Sequence, residues 1–383
     1  MREAPLTGNV REALAPEPGV SPERTRQSHV ALDFTRGTKG ARRERVGLAD
    51  ELAAALSTRF DRVTLLYPRD ELPGSLCETA DAAGVDTRSD ALCEEVVLPL
   101  LLKRLQATHV FTFRESFVLP RGMYGHLHLH EDPGIRRSLE RTARANFNFK
   151  VAILDWRSEH RYTRFLGKIH SLTTSSRWTL ACVREGLGAR LPAVCSASVA
   201  YLGGFADTVA RTLPERREQR SHILIGASRD PRDDLAWALR VYDNAVAGLV
   251  DPPRVVVVGV SEMDPTRQRR GLECAGFVSD DELLDLYRTA LAYIHPSSFE
   301  GFGLPLVEAM QCGTPLFAPA GSAVDEVAGH SAYRSAVAAG RALQDILESE
   351  NAWMAASADA WRRGQTYQWS RCAHDIANHM IAG

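Results

Sequence analysis

Short apolar runs alternate with amphipathic stretches of helix length along most of this chain. HVALDF (29–34), RVTLLYP (62–68), HVFTFRE (109–115), HLHLH (126–130) and HSLTTSS (170–176) have the length and β-branched or aromatic content of strands. Between them lie segments such as LADELAAALSTRF (48–60), whose apolar spacing predicts helices packed on a sheet. The pattern restarts with ILIGAS (223–228), a helix from Asp233, RVVVVGV (254–260), ECAGFV (273–278), LAYIHPS (291–297) and PLFAPA (315–320). Strand and helix alternation of this kind predicts parallel sheets covered on both faces. The fold class expected is α/β, with two doubly wound, Rossmann-like domains.

The stretch between the two series carries paired glycines, Gly203 and Gly204, a proline and a charge cluster, the composition of a linker. The expected organisation is a mobile tail over 1–28, a first domain over 29–205, a linker over 206–221 and a second domain over 222–367. An amphipathic segment over 368–383, within YQWSRCAHDIANHMIAG (367–383), is expected to pack back on the first domain.

Composition narrows the function classes. With 46 basic and 48 acidic residues in 383, the net charge is −2, which argues against a generic nucleic-acid surface. Only four basic residues are lysines (Lys39, Lys103, Lys150 and Lys168), so arginine is expected where other proteins use lysine. This bias, with the alanine content, points to a bacterial genome of high GC. Seven scattered cysteines without a Cys-x-x-Cys pair indicate neither a disulfide framework nor a zinc knot. No apolar run reaches the length of a signal peptide or a membrane span. A cytoplasmic protein is expected.

The chemistry concentrates in GFVSDDELLDLYRTALAYIHPSSFEGFGLPLVEAMQCGTPLFAPAGSAVDEVAG, residues 276–329. Ser279 and Glu282 form a capping box that starts a helix near Asp280. That helix leads into a buried strand, and a tight turn over 298–303 follows. Pro305 suits a first helical turn, and Gly301 and Gly303 expose backbone amides just before it. Such a helix N-terminus at the carboxyl end of a parallel strand attracts a phosphate or a sugar oxygen through its free N–H groups and positive dipole end. Glu300 and Glu308 bracket this turn, where carboxylates accept hydrogen bonds from sugar hydroxyls. Each taken alone also fits a cap or a solvated surface acid. A dinucleotide fingerprint beginning at Gly301 fails, because its last position is Leu306.

This window closely resembles the signature of glycosyltransferase family 4, retaining enzymes of GT-B architecture, in which two Rossmann-like domains face each other across a cleft. Weaker resemblance runs through ILIGASRDPRDDLAWALRVYDNA (223–245) and SSRWTLACVREGLG (175–188). The resemblance implies a nucleoside-diphosphate-sugar donor held by the second domain. It places Glu308 on the ribose hydroxyls, Glu300 near the hexose hydroxyls, the amides of Gly301, Phe302, Gly303 and Leu304 on sugar and diphosphate, and Phe277 and Val278 beside the base. For Phe277 a core position is the competing reading.

Relatives carry an arginine and a lysine after the first strand of this domain. Here the segment offers Arg229 and Arg232, whose guanidinium groups bind phosphate bidentately, while Asp233 falls near the lysine position. His130 is similar to the family histidine that faces the transferred sugar, so His130, Glu300 and Arg232 are the candidate catalytic residues. The alternating His126, His128 and His130 also invite a metal reading, against the simpler one of a sheet face. Gly37 and Gly40, with the cations Arg36, Lys39, Arg42, Arg43 and Arg45, resemble the family's loop facing donor phosphates and acceptor. With Arg136 and Arg137 they also fit an anionic acceptor, a membrane surface or a solvated helix face.

The resemblance implies retaining transfer of a hexose-type sugar to a hydroxyl acceptor, a small molecule or natural product, with no metal, cofactor or nucleic acid. Peripheral membrane contact stays open. The alternatives are a GT-B epimerase or phosphorylase, and a non-catalytic nucleotide-sugar-binding subunit.

Overall fold

A computed structural model describes residues 28–35, 42–69, 80–85, 92–114, 118–130, 164–187, 192, 195–205, 217–228, 232–262 and 270–382. Two parallel sheets organise them, so the chain has the α/β class expected. The first contains β1 (His29–Asp33), β2 (Arg62–Pro68), β3 (Asp81–Val85), β4 (His109–Thr112), β5 (Tyr124–Leu129), β6 (Ile169–Thr174) and β7 (Ser196–Val199) in the order β3-β2-β1-β4-β5-β6-β7. The second contains β8 (His222–Gly226), β9 (Arg254–Val258), β10 (Leu272–Gly276), β11 (Ala290–Ile294), β12 (Leu316–Pro319) and β13 (Ala332–Tyr333) in the order β10-β9-β8-β11-β12-β13. β1 and β11 are buried along their whole lengths, which explains their continuous apolar runs. The strands with no sequence signal, β3, β7 and β13, read DAAGV, SASV and AY. All three are sheet edges, where small and polar residues are tolerated.

Ten helices are named here: α1 (Arg42–Ser57), α2 (Leu98–Arg104, after a π-helical turn at Cys93–Val97), α3 (Arg177–Leu187), α4 (Leu235–Val246), α5 (Asp280–Thr289), α6 (Leu304–Gln311), α7 (Ser322–Ala328), α8 (Ala336–Glu348), α9 (Glu350–Gly364) and α10 (Trp369–Ala382). The capping box of α5 is present in full: Ser279 accepts from the Glu282 amide and Glu282 from the Ser279 amide. α4 begins two residues later than expected from Asp233, because Asp234 is its cap and accepts from the Trp237 amide at 2.8 Å.

Two boundaries read from composition differ in the structure. Ser28, assigned to the tail, is buried and its amide donates to Asp61 at 3.0 Å; residues 1–27 lie outside the described set. Arg220, assigned to the linker, is buried in the second domain. Its guanidinium donates to the Ala290 and Cys312 carbonyls at 2.8 and 2.9 Å and lies over the Trp353 ring. A long charged side chain that satisfies buried carbonyls is a core element whatever its polarity. Residues 206–216 lie outside the described set.

α10 packs against α1 and touches β6 and β7. Its Trp369 is 1% exposed, donates through Nε1 to the Gly204 carbonyl at 3.0 Å, and lies against Gly47 of α1 and Gly203. A Cβ on either glycine would come within 2.3 or 2.6 Å of the indole, so both positions require glycine for close approach.

One face of the first sheet is lined with imidazoles. His109 of β4 stacks on Tyr124 and His126 of β5 at 4.8 and 5.7 Å, and His170 lies against Tyr124 at 4.6 Å. His126 is hydrogen-bonded to Ser171, and His128 to Thr173 at 2.8 Å. These pairings make the two histidines elements of the sheet face. Among the described residues no group of three His, Cys, Asp or Glu side chains is placed to hold a metal ion, so the metal reading of the histidine strand finds no support.

Two stability predictions follow from this packing. Trp369→Ala should cost about 3–5 kcal/mol, as for other buried aromatic truncations, read as a lowered midpoint in chemical denaturation. Burial, with His109, His170 and His379 nearby, pushes His126 down to about 3, and burial beside His130 holds His128 well below 6.5. Below pH 6.5 the unfolded chain therefore binds more protons than the folded one. Stability should be complete above that pH and fall toward about pH 3, at about 1.4 kcal/mol per pH unit for each histidine. Thermal melts across this range should show the slope, and a His126→Gln, His128→Gln variant should reduce it, leaving the share of His109 and His222, which burial also pushes down to about 4.

Candidate functional site

The chain order reverses between β1 and β4 in the first sheet and between β8 and β11 in the second. Crevices at such switch points, beyond the carboxyl ends of the strands, are where doubly wound sheets bind ligands. In the second domain the segments after β8, β10 and β11 all end on that edge.

After β11 the chain turns through Glu300–Gly303 into α6. Gly303, the residue before the helix, has φ +89°, and a Cβ there would lie 2.7 Å from Leu306; only glycine takes this backbone without strain. Pro305 sits in the first helical turn. No described residue accepts a hydrogen bond from the amides of Phe302, Gly303 or Leu304. Three N–H groups at a positive helix end are thus available to oxygen atoms of a ligand. Phe302 itself is buried, packed against Tyr201 and Tyr367, so its contribution to a ligand is its backbone.

Glu300 is fixed from both ends. Its amide donates to Ser322 Oγ at 2.8 Å, and its carboxylate Oε1 lies 3.3 Å from His295 Nε2. His295 Nδ1 is 3.2 Å from the Tyr293 hydroxyl, which gives a Tyr293–His295–Glu300 chain that runs from the core to the partly exposed Glu300. Burial, with Glu308, Asp233 and Glu300 all close by, holds the Tyr293 phenol well above its ordinary value. Glu308, 2% exposed on α6, therefore belongs to the same acidic cluster as Glu300. Its burial excludes the reading of a solvated surface acid. The sequence reading missed Tyr293 and His295, because both lie within an apolar run that looks like strand core.

On the opposite side of the switch point, Arg232 precedes Asp233, which pairs with Ser297 in an antiparallel bridge. Asp233 accepts from the Ser228 amide and hydroxyl at 2.7 and 2.6 Å. The acid found near the family's lysine position is thus spent on closing the turn after β8, and Arg232 directly precedes it in the chain. Arg229 lies outside the described residues, as do Gly37, Gly40, Arg36, Lys39, Arg136 and Arg137. Nothing is described of the side chains of Arg42, Arg43 and Arg45 within α1.

Phe277 is not a core aromatic. It is 90% exposed in the turn after β10, where Gly276 takes φ +67°, while its neighbour Val278 packs on the core. An exposed phenyl ring on the ligand-binding edge is available for stacking.

In the first domain His130 directly follows β5, its ring stacked on Phe113 at 4.9 Å. Its carbonyl accepts from Ser175 Oγ at 2.7 Å, and Ser175 Oγ is also 3.2 Å from the Gly301 carbonyl. His130 and the glycine turn are therefore one hydroxyl apart across the domain boundary. At the first sheet's own switch point Arg114, fully buried, lies 3.4 Å from Asp33 and 3.2 Å from Glu94, and donates to Thr35 at 3.0 Å. This buried ionic cluster ties the ends of β1 and β4, and charges so deeply buried persist only when paired. Residue spacing gives no sign of it, since its members come from three separate segments.

Comparison with known proteins bears on this arrangement. Residues 215–358 match the family model described as Glycosyl transferases group 1. O-antigen chain mannosyltransferase B of Escherichia coli is 32% identical over 170 residues, which are 43% of this chain and 39% of that protein. The serotype-specific mannosyltransferase WbdA of Escherichia coli is 32% identical over 172 residues, 40% of this chain and 20% of that protein. The chain thus spans less than half the length of either relative. WaaG, a glycosyltransferase involved in lipopolysaccharide biosynthesis, superposes with a TM-score of 0.63 at 15% identity, covering 93% of this chain and all of that one. Among the described residues no helix is long and apolar enough to cross a membrane. The chain has the GT-B fold, its residues 215–358 match the glycosyl transferases group 1 model, and it resembles the family 4 glycosyltransferases.

Proposed function

We propose that this protein is a retaining glycosyltransferase that moves a hexosyl group, mannosyl by analogy with its relatives, from a nucleoside diphosphate to a hydroxyl acceptor. The observation that carries the reading is the glycine turn: three open amides at the N-terminus of α6, flanked by Glu300 and Glu308 on the second domain's switch point. Free amides suit diphosphate and sugar oxygens, and carboxylates suit hydroxyls.

Glu308 then takes the ribose hydroxyls and Glu300 the hexose hydroxyls, with Phe277 and Val278 at the base. Arg232, with Arg229, neutralises the diphosphate as it departs. His130 meets the transferred sugar from the first domain. The leaving phosphate accepts the proton of the incoming hydroxyl on the same face, so the reaction proceeds without a metal. Analogy with O-antigen and other mannosyltransferases favours a glycan or glycan-like acceptor over a small natural product. The six described cysteines are all free thiols, in keeping with a cytoplasmic location.

Calorimetric titration with GDP-mannose, UDP-glucose and the free nucleotides, with and without a chelator, tests the reading without an acceptor. One sugar nucleotide should bind, unaffected by the chelator. Glu308→Ala should weaken it by tenfold or more, about the effect of losing a charge-assisted hydrogen bond. Phe277→Ala should weaken sugar nucleotide and free nucleotide alike, and Arg232→Ala should weaken diphosphates more than monophosphates. Indifference of the wild-type protein to every probe would refute the donor site.

A further inference from the structure

We infer that Ser175, Ser176 and Thr179 of the first domain are positioning residues for the donor turn: a hydroxyl latch that fixes the Gly301–Phe302 peptide and His130 in one register. The inference rests on the proposed reading of residues 300–304 as the donor-binding turn.

All three side chains are fully buried. Ser176 Oγ and Thr179 Oγ1 lie 2.6 and 3.0 Å from the Gly301 carbonyl oxygen, and Ser175 Oγ lies 3.2 Å from it. Each hydroxyl has one proton to give. Ser175 is closer to the His130 carbonyl, at 2.7 Å, and its proton goes there. Ser176 and Thr179 then fill the two lone pairs of Gly301, while Ser176 Oγ accepts from the Thr179 amide at 3.0 Å. The arrangement is proton-balanced, with every donor used once.

A trans peptide points its C=O and N–H in opposite directions. Drawing the Gly301 carbonyl into the first domain therefore turns the Phe302 N–H away from it, toward the open amides of Gly303 and Leu304. Gly301 has no side chain to hinder rotation of this peptide about its ψ, so the two hydroxyls select its orientation. A second contact brackets the same turn. The Trp178 ring meets Phe299 edge-on at 5.1 Å, and Glu326 of α7 accepts from the Arg177 and Trp178 amides at 3.1 and 3.2 Å. The N-terminus of α3 thus touches the chain on both sides of Glu300, at Phe299 and at Gly301. This anchoring comes from the opposite domain, so donor-turn geometry depends on the closed arrangement of the two.

The test compares GDP-mannose with GDP, or UDP-glucose with UDP if that is the donor bound, on Thr179→Val, Ser176→Ala and the double variant. Losing the latch should weaken the sugar nucleotide about tenfold in the double variant, the size of one to two hydrogen bonds, and weaken the free nucleotide clearly less, because it lacks the sugar oxygens that the turn also holds. Thr179→Ser, which keeps the hydroxyl, should restore the wild-type ratio. Unchanged binding of both probes, or equal weakening of both, overturns the latch; the single variants decide the matter where the double one is unstable. A wild-type protein that binds neither pair of probes refutes the donor turn itself, and the latch with it.

Discussion

A backbone turn that offers amides to a ligand must dispose of its carbonyls elsewhere, and in this protein the carbonyl of Gly301 has no partner within its own turn. A buried carbonyl left without donors costs free energy comparable to a lost hydrogen bond. The second domain presents the amides of Phe302, Gly303 and Leu304 and leaves Gly301 to the first domain, whose Ser176 and Thr179 supply the donors. The debt runs in the other direction too. α3 begins with orphan amides at Arg177 and Trp178, and these are satisfied by Glu326 of the second domain. Each domain completes a helix or loop terminus of the other, which makes the domain boundary a polar, directional joint as well as an apolar one.

The apolar part of the joint lies beside it. Phe302, Tyr201 and Tyr367 pack together, and Gln311 bridges the Phe205 amide and the Tyr367 carbonyl at 2.8 Å each. Trp369 then closes the first domain over Gly47 and Gly203. α10 is the last helix in the chain yet packs on α1, the first one named here. The C-terminal segment is therefore a strap across both domains, and its indole is the point at which the strap is fastened.

What could be read from the sequence was what the sequence determines locally. The capping box at Ser279 and Glu282, the glycine turn at Gly303 and Pro305 in the first turn of α6 are each set by residues a few positions apart, and all stand where the spacing put them. The latch could not be read, because Ser176 and Thr179 are separated from Gly301 by more than 120 positions, and serine before a helix is ordinary capping sequence. The buried Arg114 and Arg220 escaped for a related reason: an arginine reads as surface until its carbonyl and carboxylate partners are known. For Phe277 the structure decides between two readings. Its aromatic character suggested the core as the competitor of a place beside the base, and the turn at Gly276 leaves it outside the core.

The distribution of charge around the crevice follows from the same geometry. Asp233, Glu300 and Glu308 all lie close enough to act on the buried Tyr293 hydroxyl, and acids alone would make a poor place for a diphosphate. Between Glu300 and Glu308 the glycine turn supplies its amides and the positive end of α6, and Arg232 directly precedes Asp233 in the segment after β8. Hydroxyl-binding and anion-binding groups are thereby segregated within a few residues of one another. A nucleoside diphosphate sugar has this polarity, with hydroxyl-rich rings at both ends of an anionic bridge. The use of Asp233 to close its turn with Ser228 removes one carboxylate from competition with the bridge, which is how an acid can occupy a position where a cation was expected without repelling the anion beside it.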